Sequence, residues 1–419
     1  MARIAILTNF REFSPSYSLT GIVLDQVRML SEHGHDVSVA VNENYHGEPF
    51  DSILLRRIIP DYEQINYRSV ADLTDEYRDI IVRTAAILIK ELTDIDYVFT
   101  HDFVFTGWNL LMGLACQLTS KQIPDLRWLH WVHSVPSGSR DWWNIHNFPQ
   151  GHRLIYPNET NRLRVAEQFR GTIDHVRVIP HIRDLRTYFD FSFETCEFIK
   201  EHPAVMQADI VQVYPAATDR FIAKKPHVVI EIFARLKEMG HTVCLVLANQ
   251  HADTVERRED LQRYMDLGAE HGLVIGKDLI ATSLWNPPKH ENGISKQMTR
   301  ELSQCANLFI YPTREESFGL VLPEASLSGG CLCVLNQSLS MMQEISGSNA
   351  ISFPFGSFEN KYDPPRLDEF YTGIANVISE RMDQNESIKT RTFMRQKYNY
   401  DRLYKRYYAP IMAESRTWQ

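Results

Sequence analysis

The chain has 419 residues, a formal net charge of −9, 44% hydrophobic residues and 23% charged residues. That length predicts two or three ordinary domains with ample room for two buried cores, and the acidic balance excludes a surface generally adapted to coat nucleic acid, leaving only a local basic cleft. No apolar run reaches the roughly 18 residues that a membrane span requires, and Met1-Ala2-Arg3 leads directly into a strand without a signal segment, so a cytoplasmic protein is expected.

In chain order, residues 3–9 predict a buried strand. Residues 20–33 predict an amphipathic helix with Ile22, Val23, Val27, Met29 and Leu30 apolar. Gly34-His35-Asp36 ends it, and 37–41 is a second strand. A strand–helix–strand opening predicts a parallel, doubly wound sheet. Further strands are expected at 52–57, 97–100, 127–133, 153–156 and 175–179, with helices at 72–92 and 106–117. Residues 185–207 lack a sheet pattern, which places a domain boundary there. The pattern then restarts with a strand at 210–214, a strongly periodic helix at 226–239 and strands at 243–248 and 279–284. A helix at 296–305 capped by Ser295 follows, then strands at 306–311 and 332–335 and an aromatic-rich helix at 398–412. The fold class is therefore α/β, with two Rossmann-like doubly wound domains facing a cleft. The first is expected over 1–190 and the second over 205–397, and in chains of this two-domain type a helix such as 398–419 packs back on the first. Six scattered cysteines (Cys116, Cys196, Cys244, Cys305, Cys331 and Cys333) predict reduced thiols.

The most informative segment, 311–330, reads YPTREESFGLVLPEASLSGG. A strand stops at Pro312, a loop carries Glu316, Gly319 follows, and a small-residue helix carries Glu324. An α/β protein presents a helix N-terminus to an anionic ligand in this way, at the carboxyl edge of its sheet. The segment resembles the E-x7-E element of retaining GT-B-fold glycosyltransferases of the family 4 type, which use nucleotide-sugar donors. The resemblance implies that Glu316 binds the transferred sugar and Glu324 the ribose, with Ser317, Phe318, Gly319 and Leu320 lining the donor; Ser317 stands where that family has glycine. Gln343-Glu344-Ile345 and Gly347-Ser348-Asn349 also fit the family's pattern. Upstream, Arg220 and Lys225 match its diphosphate-binding pair, with Lys224 a close rival and Asp219 where glycine is usual. Two cations and a helix N-terminus can offset a diphosphate without a metal, and their stabilisation grows as charge develops on the leaving phosphate. The resemblance implies same-face attack with retained anomeric configuration, a UDP-sugar as donor substrate, no required cofactor and no metal. Asp94-Ile95-Asp96 spells the D-x-D of metal-dependent transferases but sits where an acid before a strand is commonplace.

In the amino-terminal half, His133 ends a predicted strand and matches the family's histidine near the reaction centre, while His130 is out of phase with it. His101-Asp102 is a weaker candidate at the same sheet edge. Of two glycines expected beside the donor phosphate in the first loop, only Gly21 remains. Trp142, Trp143 and Phe148 could stack on sugars or bases, or pack beneath their loop. Arg140, Arg153, Arg162 and Arg164 lie nearby. Residues 133–140 also resemble a loop of phage DNA α-glucosyltransferases, which keeps hydroxymethylated DNA as an alternative acceptor to a glycan, lipid or small molecule. A nucleotide-sugar epimerase and a non-catalytic sugar-nucleotide-binding protein are the further alternatives.

Overall fold

The computed structural model describes residues 1–14, 17–47, 53–63, 67, 69–106, 109–138, 143–316 and 319–414. The chain divides into two compact units, Met1–Asp184 with Tyr400–Gln419, and Leu185–Asn399.

The first unit is built on β1 (Arg3–Leu7), β2 (Asp36–Asn42), β3 (Leu54–Ile59), β4 (Tyr97–His101), β5 (Arg127–Trp131), β6 (His152–Tyr156) and β7 (Val176–Val178), in the spatial order β3-β2-β1-β4-β5-β6-β7. All neighbouring pairs are parallel. Alternation with period two sends side chains to two cores. Ile4, Ile6, Val39, Phe99, Leu129 and Ile155 face helix Ser18–Glu32 and the returning C-terminal segment. Ala5, Leu7, Val98, Trp128 and Leu154 face helices Asp75–Leu92 and Leu110–Gln122. The helices start later than the sequence pattern suggests. Ser69 caps a short 3-10 turn before Thr74 caps the first of them, and the second begins only at Leu110, after two residues (107 and 108) outside the described set. The expected strand at 52–57 lies at Leu54–Ile59, and β5 stops two residues short of His133.

In the second unit, β8 (Ile210–Ala217), β9 (Val243–Gln250) and β10 (Leu279–Ala281) form one parallel sheet in the order β10-β9-β8. A second sheet joins β11 (Leu308–Tyr311), β12 (Leu332–Asn336) and β13 (Ile351–Phe353). Two buried side-chain amides stitch β8 to β11. The Gln212 amide exchanges two 2.9 Å hydrogen bonds with the backbone of Ile310. Asn307 accepts from the Val211 N–H at 2.9 Å while its own N–H donates to the Val211 carbonyl at 3.0 Å. With that seam, both units carry the doubly wound order 3-2-1-4-5-6, which reverses between the first and fourth strands. Helices Pro226–Glu238, Val255–Glu270 and Leu367–Gln384 cover one face, and Phe193–Glu201 and Lys296–Ser303 the other. Residues 282–284, expected as strand, form a 3-10 turn. The C-terminal segment, expected as one helix over 398–412, contains a π-helical turn at Tyr404–Tyr408 between short α-helical pieces.

Candidate functional site

In the second unit the strand order reverses between β8 and β11, and the loops that leave the carboxyl ends of those two strands meet. The Lys224 ammonium donates to Glu316 Oε2 at 2.6 Å and to the Tyr311 hydroxyl at 2.9 Å. The Tyr311 hydroxyl in turn donates to the same carboxylate oxygen at 2.6 Å. Both members of the ion pair are mostly buried, with side chains 17% and 18% exposed. Burial, reinforced by the bond to Glu316, pushes the Tyr311 phenol far above its usual range, so it stays a donor. The Tyr214 hydroxyl holds the Lys224 carbonyl and so fixes the loop from beneath. Arg220, on the same loop, pairs with Glu315, a residue the sequence pattern did not single out.

Gly319 is demanded by local geometry. Its φ is 78°, and a Cβ there would lie 3.1 Å from Glu316 Cγ. The N–H groups of Gly319 and Leu320 have no acceptor among the described residues, as expected of the open end of a helix. Helix Val321–Gly329 follows, with Pro323 in its first turn, where a missing N–H costs nothing, and Glu324 exposed beside it. The Glu324 carboxylate has no partner among the described residues. Ser317 and Phe318 lie outside the described residues.

The expected cation pair separates. Lys225 adopts the left-handed backbone conformation, φ 55° and ψ 49°, which turns its side chain away from Lys224. Its ammonium donates to the Phe355 carbonyl at 2.6 Å, so Lys224, not Lys225, is the lysine brought to Glu316.

The first unit collects its candidates at the corresponding edge of its own sheet. His133 Nε2 lies 3.0 Å from His101 Nδ1, and His101 Nε2 lies 2.9 Å from Gln26 Oε1. The Gln26 amide donates to the Tyr408 hydroxyl at 2.9 Å, which orients it as an acceptor toward His101. His101 therefore carries its proton on Nε2, and His133 donates from Nε2 and presents Nδ1 as an acceptor. Trp131, His101, His133 and His181 stack in succession at 4.9, 5.2 and 5.1 Å. Burial, and then the neighbouring His181, lowers the His133 pKa to about 3, so its ring is neutral. Asp102 accepts from the Tyr17 hydroxyl at 3.1 Å and is pushed up by burial.

Several candidates have partners within the fold. His130 points into the opposite core, hydrogen-bonded to Thr100 and His152, both at 2.9 Å. Trp143 and Phe148 are buried in the same core, and the Trp143 indole donates to the Thr106 carbonyl at 3.2 Å, so packing under the loop replaces stacking on a ligand. Trp142 and Arg140 lie outside the described residues. Arg153 and Arg162 donate to backbone carbonyls of His152, Val176 and Ile173, while Arg164 is exposed. Gly21 makes room for Arg183, whose guanidinium would lie 3.2 Å from a Cβ there and which pairs with the buried Asp25 at 3.4 Å. Asp96 accepts from the Arg3 N–H at 2.8 Å and Asp94 lies 3.7 Å from the Arg3 guanidinium, so both acids of the D-x-D spelling face a strand end.

No protein-family profile matches the chain, and no curated protein does. Among solved structures, the chain is similar to a glycosyltransferase from Rickettsia africae ESF-5, at 13% identity over 99% of this chain and 98% of that one, with a TM-score of 0.38. It is similar to Anabaena Alr3699/HepE in complex with UDP and glucose, at 13% identity over 99% and 100% of the two chains, TM-score 0.37. Sucrose-phosphate synthase (tll1590) from Thermosynechococcus elongatus matches at 16% identity over 99% and 100%, TM-score 0.35. At these identities and TM-scores no residue correspondence is drawn from them.

Proposed function

We propose that this chain is a retaining glycosyltransferase that moves a sugar from a nucleoside-diphosphate sugar, with UDP as the nucleotide, to a hydroxyl acceptor, and that the Leu185–Asn399 unit holds the donor. The observation that carries this reading is the mostly buried Lys224–Glu316–Tyr311 cluster at the topological switch point, where open α/β sheets bind ligands. The N–H groups of Gly319 and Leu320, without an acceptor among the described residues, and the exposed Glu324 complete it.

In this reading Glu316, fixed by Lys224 and Tyr311, accepts hydrogen bonds from hydroxyls of the transferred sugar. Glu324 accepts from the ribose. Arg220, Lys224 and the open amides face the diphosphate, where charge accumulates as the glycosidic bond breaks. Donors already aimed at that position act most strongly in the transition state. In the first unit, His133 supplies a neutral acceptor nitrogen for a hydroxyl of the acceptor molecule. The leaving phosphate takes the acceptor proton, attack comes from the same face, and the cations of the chain meet the charge without a metal.

Incubation with a panel of radiolabelled nucleoside-diphosphate sugars and acceptors, resolved by chromatography, tests this directly. The expected result is label in an acceptor with the anomeric configuration of the donor. Conversion of the free nucleotide sugar to an isomer would show an epimerase instead, and unchanged donor with every acceptor would show a binding protein.

A further inference from the structure

A second feature of the Leu185–Asn399 unit lies one step along the sheet from the Glu316 cluster. Lys225, Arg314 and Lys361, with one carboxylate, Asp363, line a cavity of about 240 Å³. That volume is well above the roughly 10–15 Å³ that admits one water.

Its walls are built rather than fortuitous. The fully buried Asn336, at the end of β12, donates to the Thr313 carbonyl at 2.7 Å and to the Gly356 carbonyl at 2.8 Å, and accepts from the Phe355 N–H at 3.0 Å. One side chain thus pins the loop that carries Arg314 against the loop that leaves β13. Ser357 closes the second loop through a pair of bonds with Asn360. Lys225 is 8% exposed and sits in a left-handed backbone conformation immediately before Pro226, a strained choice for a residue with a side chain. Its ammonium gives one hydrogen to the Phe355 carbonyl and has two more. The 13-residue helix Pro226–Glu238 begins at this lysine, so its N-terminal partial charge adds to the three cations. None of the three has a carboxylate within ion-pair distance among the described residues, and Arg314 lies over the Phe358 ring at 5.8 Å.

We propose that this pocket binds the phosphate group of a phosphorylated small molecule, at a site separate from the Glu316–Lys224 cluster. Three cations against one carboxylate leave an excess of two positive charges. A phosphate monoester, with about −1.5 to −2 charge at neutral pH and three acceptor oxygens, matches that excess where a carboxylate would not. The space beyond one phosphate leaves room for part of the molecule that carries it. Burial, and then the charge of Arg314, lowers the Lys225 pKa to about 8, with Asp363 offsetting part of that shift. The inference goes beyond glycosyl transfer and does not rest on it.

Calorimetric titration of the full chain with orthophosphate, glucose 6-phosphate and UDP at low ionic strength tests the proposal. Glucose 6-phosphate is expected to saturate a single site more tightly than orthophosphate does. Arg314→Gln and Lys361→Gln are each expected to weaken it by about tenfold, with thermal midpoints confirming intact folds. Bound UDP is expected to leave that affinity unchanged. Tighter binding of orthophosphate would overturn the claim that a larger molecule carries the group. Absence of saturable binding, indifference to both variants, or displacement by UDP would overturn the site.

Discussion

Lys224 and Lys225 are adjacent and chemically identical, yet one ends on a carboxylate and the other in a different pocket. The difference is one backbone torsion, the positive φ of Lys225, and a residue pattern does not reveal torsions of this kind. Glu316, Glu324, Arg220 and Gly319 stood out in the sequence as candidates because residue types and intervals resemble a motif. Glu315 was not, because an acid next to an acid in a loop has no distinctive signature. His133 was legible as a candidate, but the Tyr408–Gln26–His101 chain that sets its tautomer joins residues hundreds of positions apart. The neutrality of His133 has a measurable consequence. Its folded pKa of about 3 lies below the ordinary 6.5, so the unfolded chain takes up the proton first as pH falls. Its stabilising contribution is complete above pH 6.5 and is lost as pH drops from there toward 3. Urea unfolding across that range is expected to show a shallower loss of stability in His133→Asn than in the wild type, by up to about 1.4 kcal/mol per pH unit. Parallel curves would mean that the ring titrates alike in the folded and unfolded chain.

At the scale of elements, period-two alternation made most strands legible, because each β-strand feeds two apolar cores. The ends were less so. The strand expected at 279–284 turns after Ala281, and the C-terminal helix is broken by a π-helical turn. Just past Ala281 the Asn249 side chain bonds the Ser283 hydroxyl and N–H, and within the π-helical turn the Tyr408 hydroxyl accepts from Gln26, partners distant in sequence. The seam between β8 and β11 was invisible in the sequence, since Gln212 inside an apolar strand reads as an interruption rather than a join. Gln212→Leu removes partners from the buried N–H and carbonyl of Ile310. At roughly 1–3 kcal/mol for each unsatisfied buried group, the expected loss is about 2–6 kcal/mol. Equilibrium urea unfolding measures it, and a loss below about 0.5 kcal/mol would show that the two sheets do not depend on this amide.

At the scale of the whole molecule, two sheets of the same strand order each place polar residues at the loops where that order reverses. The strand–helix rhythm showed the sheets; the aromatic composition after Asn399 gave only a helix, and its return to the first unit was expected from the resemblance alone. Tyr400, Leu403, Tyr408 and Ile411 cover one face of the first unit's sheet. His33 is bonded to Asp401 at 3.0 Å and stacked on Tyr404 at 3.7 Å. A chain truncated after Asn399 would leave that apolar face open to water. It is expected to bind a hydrophobic dye and to melt well below the full chain, whereas an unchanged melting profile would show that the segment contributes nothing to the first unit.

A nucleotide sugar is expected to be held at the switch point of the second unit by Glu316, Lys224 and Glu324. Calorimetric titration of the full chain with UDP and with UDP-sugars, in the wild type and in Lys224→Met, Glu324→Ala and Lys225→Met, tests it most directly. Saturable binding is expected that falls about tenfold or more in Lys224→Met and Glu324→Ala, the scale of one charge-assisted hydrogen bond, and stays within about threefold in Lys225→Met. Equal affinity in all four proteins, or no binding of any nucleotide sugar, would contradict it.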